Sequence, residues 1–128
     1  IGQMEHLIIS LDTYHDRRTA YSFAITASGV RGDFYVATDD ETNTNASYDP
    51  VWDGRAHRDA LGWTAEMRIP FNQLRFNAAD RQTWGVNFDR WIPSTKEDIF
   101  WIPIPSNVTA WASLSRVESG VPPLRQAR

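Results

Sequence analysis

The clearest pattern in the chain is the alternation of apolar and polar residues from Trp63 to Ile69, which predicts a strand with one buried face. Pro70 has no N–H to donate to a sheet ladder, so the strand is expected to end there. The apolar residues that follow are three and two positions apart, which predicts one short helical turn packed under the strand: Phe71, Leu74 and Phe76.

The same period of two recurs in several other segments. Residues 7–11 and 21–25 alternate on either side of a polar turn and predict a hairpin. Further strands are predicted at 32–38, 51–60 and 84–90, and the strand at 51–60 is expected to form a second hairpin with the strand at 63–69. Prolines 93, 103 and 105 exclude a central strand, so this region is predicted to lie at a sheet edge or to cross the sheet as an extended segment.

Together these segments predict the fold class. Strands with turn signals between them, and no helical periodicity of three turns, are typical of an all-β fold, here an antiparallel, jelly-roll-like β-sandwich. The strands at 63–69 and 84–90 are expected at its centre. Residues 1–112 are predicted to form the sandwich domain, and the weakly patterned residues 113–128 a C-terminal tail or linker.

Composition narrows the possible functions. A chain of 128 residues is long enough for one domain with its own core, and the absence of cysteine excludes disulfides and cysteine-based metal sites. A net charge of −3 argues against a nucleic-acid-binding surface. No apolar run is long enough to span a membrane, and no signal peptide begins the chain, so we expect a segment of a longer protein.

The segment 39–50 is aperiodic and polar, which predicts a surface loop. It begins with three acidic residues whose oxygens suit calcium, Asp39, Asp40 and Glu41. The loop lacks the spacing and the glycine of an EF-hand, so a solvated loop is the alternative to a calcium site.

Catalysis is not expected. Glu66 and Asp89 could be proposed as the two carboxylates of a glycosidase, but carboxylates on a polar strand face are commonly paired with cross-strand cations such as Arg68 or Arg90. The three histidines share no zinc-ligand spacing. We therefore predict a domain that is not an enzyme.

Six tryptophans in so short a chain indicate a binding surface. A sugar ring stacks its C–H face on an indole while neighbouring polar side chains bind its hydroxyls. Three tryptophans and three polar residues near the proline-rich region form the candidate ligand site: Trp91, Trp101, Trp111, Asn87, Arg90 and Asp98. Packing within the sandwich is the alternative for each tryptophan.

Several motifs also carry a family resemblance: Asp12–Tyr21, Asp49–Gly54, Gly62–Phe71 (GWTAEMRIPF), Trp84–Arg90 (WGVNFDR) and Trp101-Ile-Pro. Together they resemble the family-9 carbohydrate-binding modules, and more narrowly the version found N-terminal to large bacterial outer-membrane β-barrel proteins. The resemblance implies a jelly-roll-like sandwich, which in this family frequently contains structural calcium and in its xylanase-attached members clasps a sugar between two tryptophans.

The resemblance also implies roles for individual residues. Trp101, preceded by Asp98, matches the C-terminal stacking tryptophan of the family, and Arg90 matches the arginine that ends the Trp-Gly-x-Asn-Phe strand. The partner tryptophan belongs to N-terminal strands that this chain is expected to lack in whole or in part.

The function that we expect is non-catalytic carbohydrate binding by a protein of the bacterial cell envelope, in the periplasm or outer membrane. The alternative is a structural or interaction domain that docks on an outer-membrane β-barrel or on a partner chain, with its tryptophans buried at the contact.

Overall fold

The computed structural model describes residues 3–40, 42, 44–45, 47–105 and 111, together with the backbone of 116–121. Over this part of the chain the fold is all-β and its strand pairs are antiparallel, as predicted. The strands are β1 (His6–Asp12), β2 (Ala20–Thr26), β3 (Arg31–Val36), β4 (Thr44–Asn45), β5 (Asp53–Asp59), β6 (Gly62–Arg68), β7 (Gln82–Ile92), β8 (Glu97–Phe100) and β9 (Arg116–Val121). Among the described residues, no helix is long and apolar enough to cross a membrane.

Seven of these strands form one sheet. Its order is β4-β3-β2-β1-β7-β8, and β9 also pairs with β7. The predicted hairpin of β1 and β2 is confirmed, with Ile9 opposite Phe23. Gly29 has a φ of 91° in the turn between β2 and β3, a conformation that favours glycine. β8 lies at the edge of the sheet, where the flanking prolines are tolerated.

The sheet is covered on both faces at its centre, which explains why every residue of β2 is buried. One face carries an apolar cluster that includes Leu11, Phe23, Trp52 and Trp84. The opposite face carries a smaller cluster around Ile8, Ala20, Ala24, Val36 and Trp111. Both faces of β1 and β2 therefore contribute to the core.

The second predicted hairpin is also confirmed, because β5 and β6 form a separate two-stranded sheet. The predicted apolar side of β6 is the less exposed one, and its Met67 packs against the cluster that contains Leu11 and Phe23. The prediction that this strand lies at the centre of the sandwich is wrong. Alternate side chains such as Glu66 remain exposed, and β6 covers the large sheet from outside, giving a sandwich-like arrangement.

Two further segments connect these sheets. The predicted helical turn is present as a 3₁₀ turn at Phe71–Gln73, after which Leu74 enters the core. Residues 113–128 were predicted to form a tail or linker, and the backbone of β9 lies within that segment and pairs with β7 from Gln82 to Val86. Part of this segment is therefore strand.

Candidate functional site

β7 is the strand that carries most of the predicted site. It has 11 residues and lies between β1 on one side and β8 and β9 on the other. Successive side chains of a strand point to opposite faces of the sheet. Phe88 and Arg90 therefore share the face of Trp84, whereas Asn87 and Trp91 lie on the reverse face.

Three apolar side chains on the Trp84 side of the sheet are exposed, and we call them the Trp101 face: Phe88, Ile99 and Trp101. They are 36%, 46% and 43% exposed. The Trp101 backbone N–H donates to the Phe88 carbonyl at 2.9 Å, and the two rings meet edge to face with centroids 5.7 Å apart. This contact holds the indole at the surface in a defined orientation.

The Trp101 face lies beside the part of the sheet that the β5–β6 hairpin covers. The apolar cluster formed with the β5–β6 hairpin includes Trp84 and Val86, but it does not reach Phe88 two residues later. The period of two in β7 predicts that Trp84, Val86 and Phe88 share a face. It does not reveal that Trp84 is buried, Val86 half-buried and Phe88 exposed.

Arg90 supplies charge and hydrogen-bond donors beside this face, since it follows Phe88 by two residues and pairs with Ile99 across the strands. Its Nη2 donates to Glu5 Oε1 at 3.1 Å, and the Trp63 indole donates to the same oxygen at 3.2 Å. The hydrogen bond from Arg90, followed by that from Trp63, lowers the pKa of Glu5. Glu5 is therefore an ionised partner for Arg90 at neutral pH.

Asn87 does not join Arg90 and Trp101, because it points to the reverse face and is buried. Its Oδ1 accepts the Ile102 backbone N–H at 2.9 Å, and its Nδ2 donates to the Ile102 carbonyl at 3.1 Å. These paired hydrogen bonds hold the segment that follows β8 against the sheet. Asn87 can therefore position the neighbouring Trp101 without contacting a ligand there.

Trp111 is also buried on the reverse face, at 7% exposure. Its Nε1–H donates to Ser10 Oγ at 2.7 Å, and its backbone N–H donates to Asp39 Oδ1 at 2.8 Å. Its ring meets Phe34 and Phe100. In this structure Trp111 therefore covers the sheet and is not an exposed platform.

Trp91 and Asp98 lie directly opposite each other on β7 and β8, again on the face away from Trp101. Asp98 is exposed and Trp91 is half-buried. The Nε1–H of Trp91 is buried and has no hydrogen-bond acceptor among the described residues. Of the six predicted ligand residues, only Arg90 and Trp101 thus share an exposed face.

The predicted calcium ligands do not converge in the described part of the loop. The Asp39 carboxylate accepts the Trp111 N–H, and the Asp40 carboxylate accepts the Thr42 N–H at 2.9 Å and its hydroxyl at 2.7 Å. Glu41 lies outside the described residues. Within those residues no group of three acidic or histidine side chains could hold a metal ion, and calcium binding in this loop stays a prediction.

The polar turn between β1 and β2 is built around two further carboxylates. Asp12 is buried and accepts the backbone N–H groups of Arg17 at 2.8 Å and Asp16 at 3.2 Å. Burial raises the pKa of Asp12. Burial also raises the pKa of Asp16, but hydrogen bonds from Thr19 and Arg18 outweigh it and the net pKa is lowered. Both carboxylates organise the turn.

No family model, curated protein or solved structure matches this chain.

The sequence interpretation missed a concave surface, which we call the tyrosine groove after Tyr21, Tyr35 and Tyr48. The groove has a volume of about 680 Å³. Tyr21 and Tyr35 are directly opposite each other on β2 and β3, a pairing that a hairpin prediction could have supplied. Tyr48 comes from the aperiodic loop 39–50, where no pattern indicates which way a side chain points.

Proposed function

We propose that this domain binds carbohydrate without catalysis, through the Trp101 face. The observation that carries the proposal is the exposed Trp101 indole, held edge-on by Phe88 on an open part of the sheet. Large exposed aromatic side chains in a fixed orientation suit the apolar C–H face of a sugar ring. A partly exposed ring that already packs against Phe88 loses little conformational entropy when a ligand binds.

Arg90 supplies the polar part of the proposed site. Its side chain is 48% exposed, and its hydrogen bond to Glu5 sets the direction of the guanidinium. A guanidinium carries five N–H donors, so donors beyond the one used by Glu5 can bind sugar hydroxyls. Because one indole stacks from one side only, we expect dissociation constants on the order of 1 mM, about −4 kcal/mol of binding free energy.

The test is a calorimetric titration of mono- and disaccharides into the wild-type domain and into Trp101→Ala. We expect binding to the wild type and its loss in the variant, with the circular dichroism spectrum unchanged because Trp101 is exposed. Leu61→Ala is the matched control, since Leu61 is a 99% exposed apolar residue in the β5–β6 turn. Equal sugar binding by Trp101→Ala and the wild type would contradict this site.

A second candidate function is docking on an outer-membrane β-barrel or a partner chain. The observation that favours it is the exposure of Phe88 and Ile99 beside Trp101, because adjoining exposed apolar side chains are typical of protein interfaces. Ile99→Asp separates the two functions, since it introduces a charge into the face and leaves the indole in place. Docking predicts that Ile99→Asp loses co-purification with the barrel or partner, whereas Val51→Asp, at an exposed site in the segment before β5, retains it.

The proposed location is the bacterial cell envelope, in the periplasm or the outer membrane. This proposal is supported by the resemblance of the Gly62–Phe71 and Trp84–Arg90 motifs to modules attached to outer-membrane barrels. Cell fractionation with an antibody against the domain tests it. Recovery of the native protein in the cytoplasmic fraction would contradict it.

A further inference from the structure

The tyrosine groove lies away from the Trp101 face, over β2 and β3 and beside the segment after the 3₁₀ turn. Its aromatic wall is continuous: the Tyr21 ring centroid is 5.1 Å from that of Tyr35 and 5.2 Å from that of Tyr48. Tyr21 is buried as the floor, while Tyr35 and Tyr48 are half-buried and expose part of their rings. The groove therefore offers an aromatic surface in a concave setting.

Hydrogen bonds between distant parts of the chain hold the walls of the groove. The Tyr48 hydroxyl donates to the Gln73 carbonyl at 2.7 Å, and Gln73 Oε1 accepts the Val51 N–H at 2.8 Å. Thr13 Oγ1 donates to the Arg75 carbonyl at 2.5 Å. A wall already held in place reduces the entropy cost of binding a ligand.

The lining of the groove carries a positively charged side chain, although the chain as a whole is negative. The chain has a net charge of −3, yet the described residues that line the groove include Arg75 and no aspartate or glutamate. The ion pairs among the described residues, Arg31 with Asp53 and Arg90 with Glu5, do not involve Arg75. The remaining polar lining is neutral, with Asn45, Ser47 and Asn72 exposed at the rim.

We propose that the tyrosine groove binds a sugar unit that bears a carboxylate, that is, a uronic acid. The exposed parts of Tyr35 and Tyr48 contact the C–H face of the ring, and the Asn45 and Asn72 amides bind its hydroxyls. The Arg75 guanidinium binds the carboxylate, for which its planar pair of donors is suited. This site shares no residue with the Trp101 face, so neither proposal depends on the other.

Calorimetric titrations of glucuronate, glucose and acetate into the wild-type domain test this proposal. Glucuronate is expected to bind roughly tenfold more tightly than glucose, because glucose has no carboxylate to accept charge-assisted hydrogen bonds from Arg75. Acetate carries the anion without the ring and is expected to bind at least roughly tenfold more weakly than glucuronate.

Variants then assign the binding to the groove. Arg75→Gln is expected to weaken glucuronate binding roughly tenfold and to leave glucose binding unchanged. The exposed Arg75 side chain makes the variant compatible with folding, which circular dichroism checks. Arg81→Gln is the matched control, because Arg81 is an exposed arginine outside the groove lining, and it is expected to bind glucuronate as the wild type does.

Three results would overturn the proposal. Failure of the wild type to bind glucuronate would remove the site, and equal affinities for glucuronate and acetate would leave an anion site without sugar recognition. Glucuronate binding that persists in Arg75→Gln and is lost in Trp101→Ala would show that glucuronate binds at the Trp101 face and not in the tyrosine groove.

Discussion

Trp111 donates its indole N–H to the Ser10 hydroxyl at 2.7 Å, although 101 positions separate the two residues in the chain. Ser10 Oγ is also 2.8 Å from Ser22 Oγ on the neighbouring strand, so a buried polar row on the sheet lies beneath the indole. Trp111, which the sequence presents as a ligand candidate, is therefore packed inside the fold in this structure. Its contribution can be measured as a change in the free energy of unfolding.

We predict that Trp111→Phe lowers the free energy of unfolding by about 2 kcal/mol, because it removes a buried hydrogen bond and part of a packed ring. Trp91→Phe is the matched substitution. The buried indole N–H of Trp91 has no acceptor among the described residues, so removing that donor offsets the lost packing. The expected decrease in the free energy of unfolding is below about 1 kcal/mol. Urea unfolding followed by circular dichroism compares the two. Equal costs would show that the hydrogen bond to Ser10 contributes nothing.

Asn87→Asp is predicted to destabilise the domain by about 3 kcal/mol at pH 7, since a buried carboxylate would face the Ile102 carbonyl and the Nδ2 donor would be lost. Burial should raise the pKa of the new carboxyl group, so the cost should shrink as the pH falls and the group becomes protonated. Asn72→Asp, at an exposed position, is the control. Urea unfolding at pH 7 and pH 4 is the measurement, and a cost that does not change with pH would refute this assignment.

The ion pair of Glu5 and Arg90 predicts a pH dependence of the stability of the wild-type domain. Hydrogen bonds from Arg90 and Trp63 lower the pKa of Glu5 below its ordinary value of 4.5, so its stabilisation is present above that value and is lost as the pH falls through the folded-state pKa. Both side chains are partly exposed, so solvent screening limits the effect. Glu5→Gln should therefore cost about 0.5 kcal/mol at pH 7 and less at pH 3. Urea unfolding of the wild type and Glu5→Gln at pH 7 and pH 3 is the measurement. A difference in unfolding free energy that is the same at both pH values would contradict this prediction.

The regular part of the fold could be predicted because alternation of side chains determines the faces of a strand directly. The strands predicted around Ile9, Phe23, Phe34, Ala56, Met67 and Val86 are all present. Alternation does not say which face becomes covered when both sides of a sheet are packed. On β7 the polar Asn87 is buried and the apolar Phe88 is exposed, because Asn87 bonds to Ile102, 15 residues away.

The sites were harder to predict for the same physical reason. Of the predicted ligand residues, Arg90 and Trp101 share an exposed face, whereas the remaining four lie on the reverse face of the sheet or against it: Asn87, Trp91, Asp98 and Trp111. Proximity along the chain near β7 and β8 suggested one cluster, but successive strand residues point in opposite directions. The tyrosine groove depends on Tyr48, whose position comes from a hydrogen bond to Gln73 and not from any local pattern.

Carbohydrate binding through the Trp101 face can be tested directly with a ¹⁵N-¹H correlation spectrum of the six tryptophan indole N–H groups, recorded while a neutral sugar is added. Each signal is assigned by a single Trp→Phe substitution. If the domain binds carbohydrate through the Trp101 face, the Trp101 signal should shift in a saturable way while the buried Trp111 signal stays in place. A folded domain in which saturable sugar binding leaves the Trp101 signal unmoved, or in which no sugar binds, would contradict carbohydrate binding through the Trp101 face.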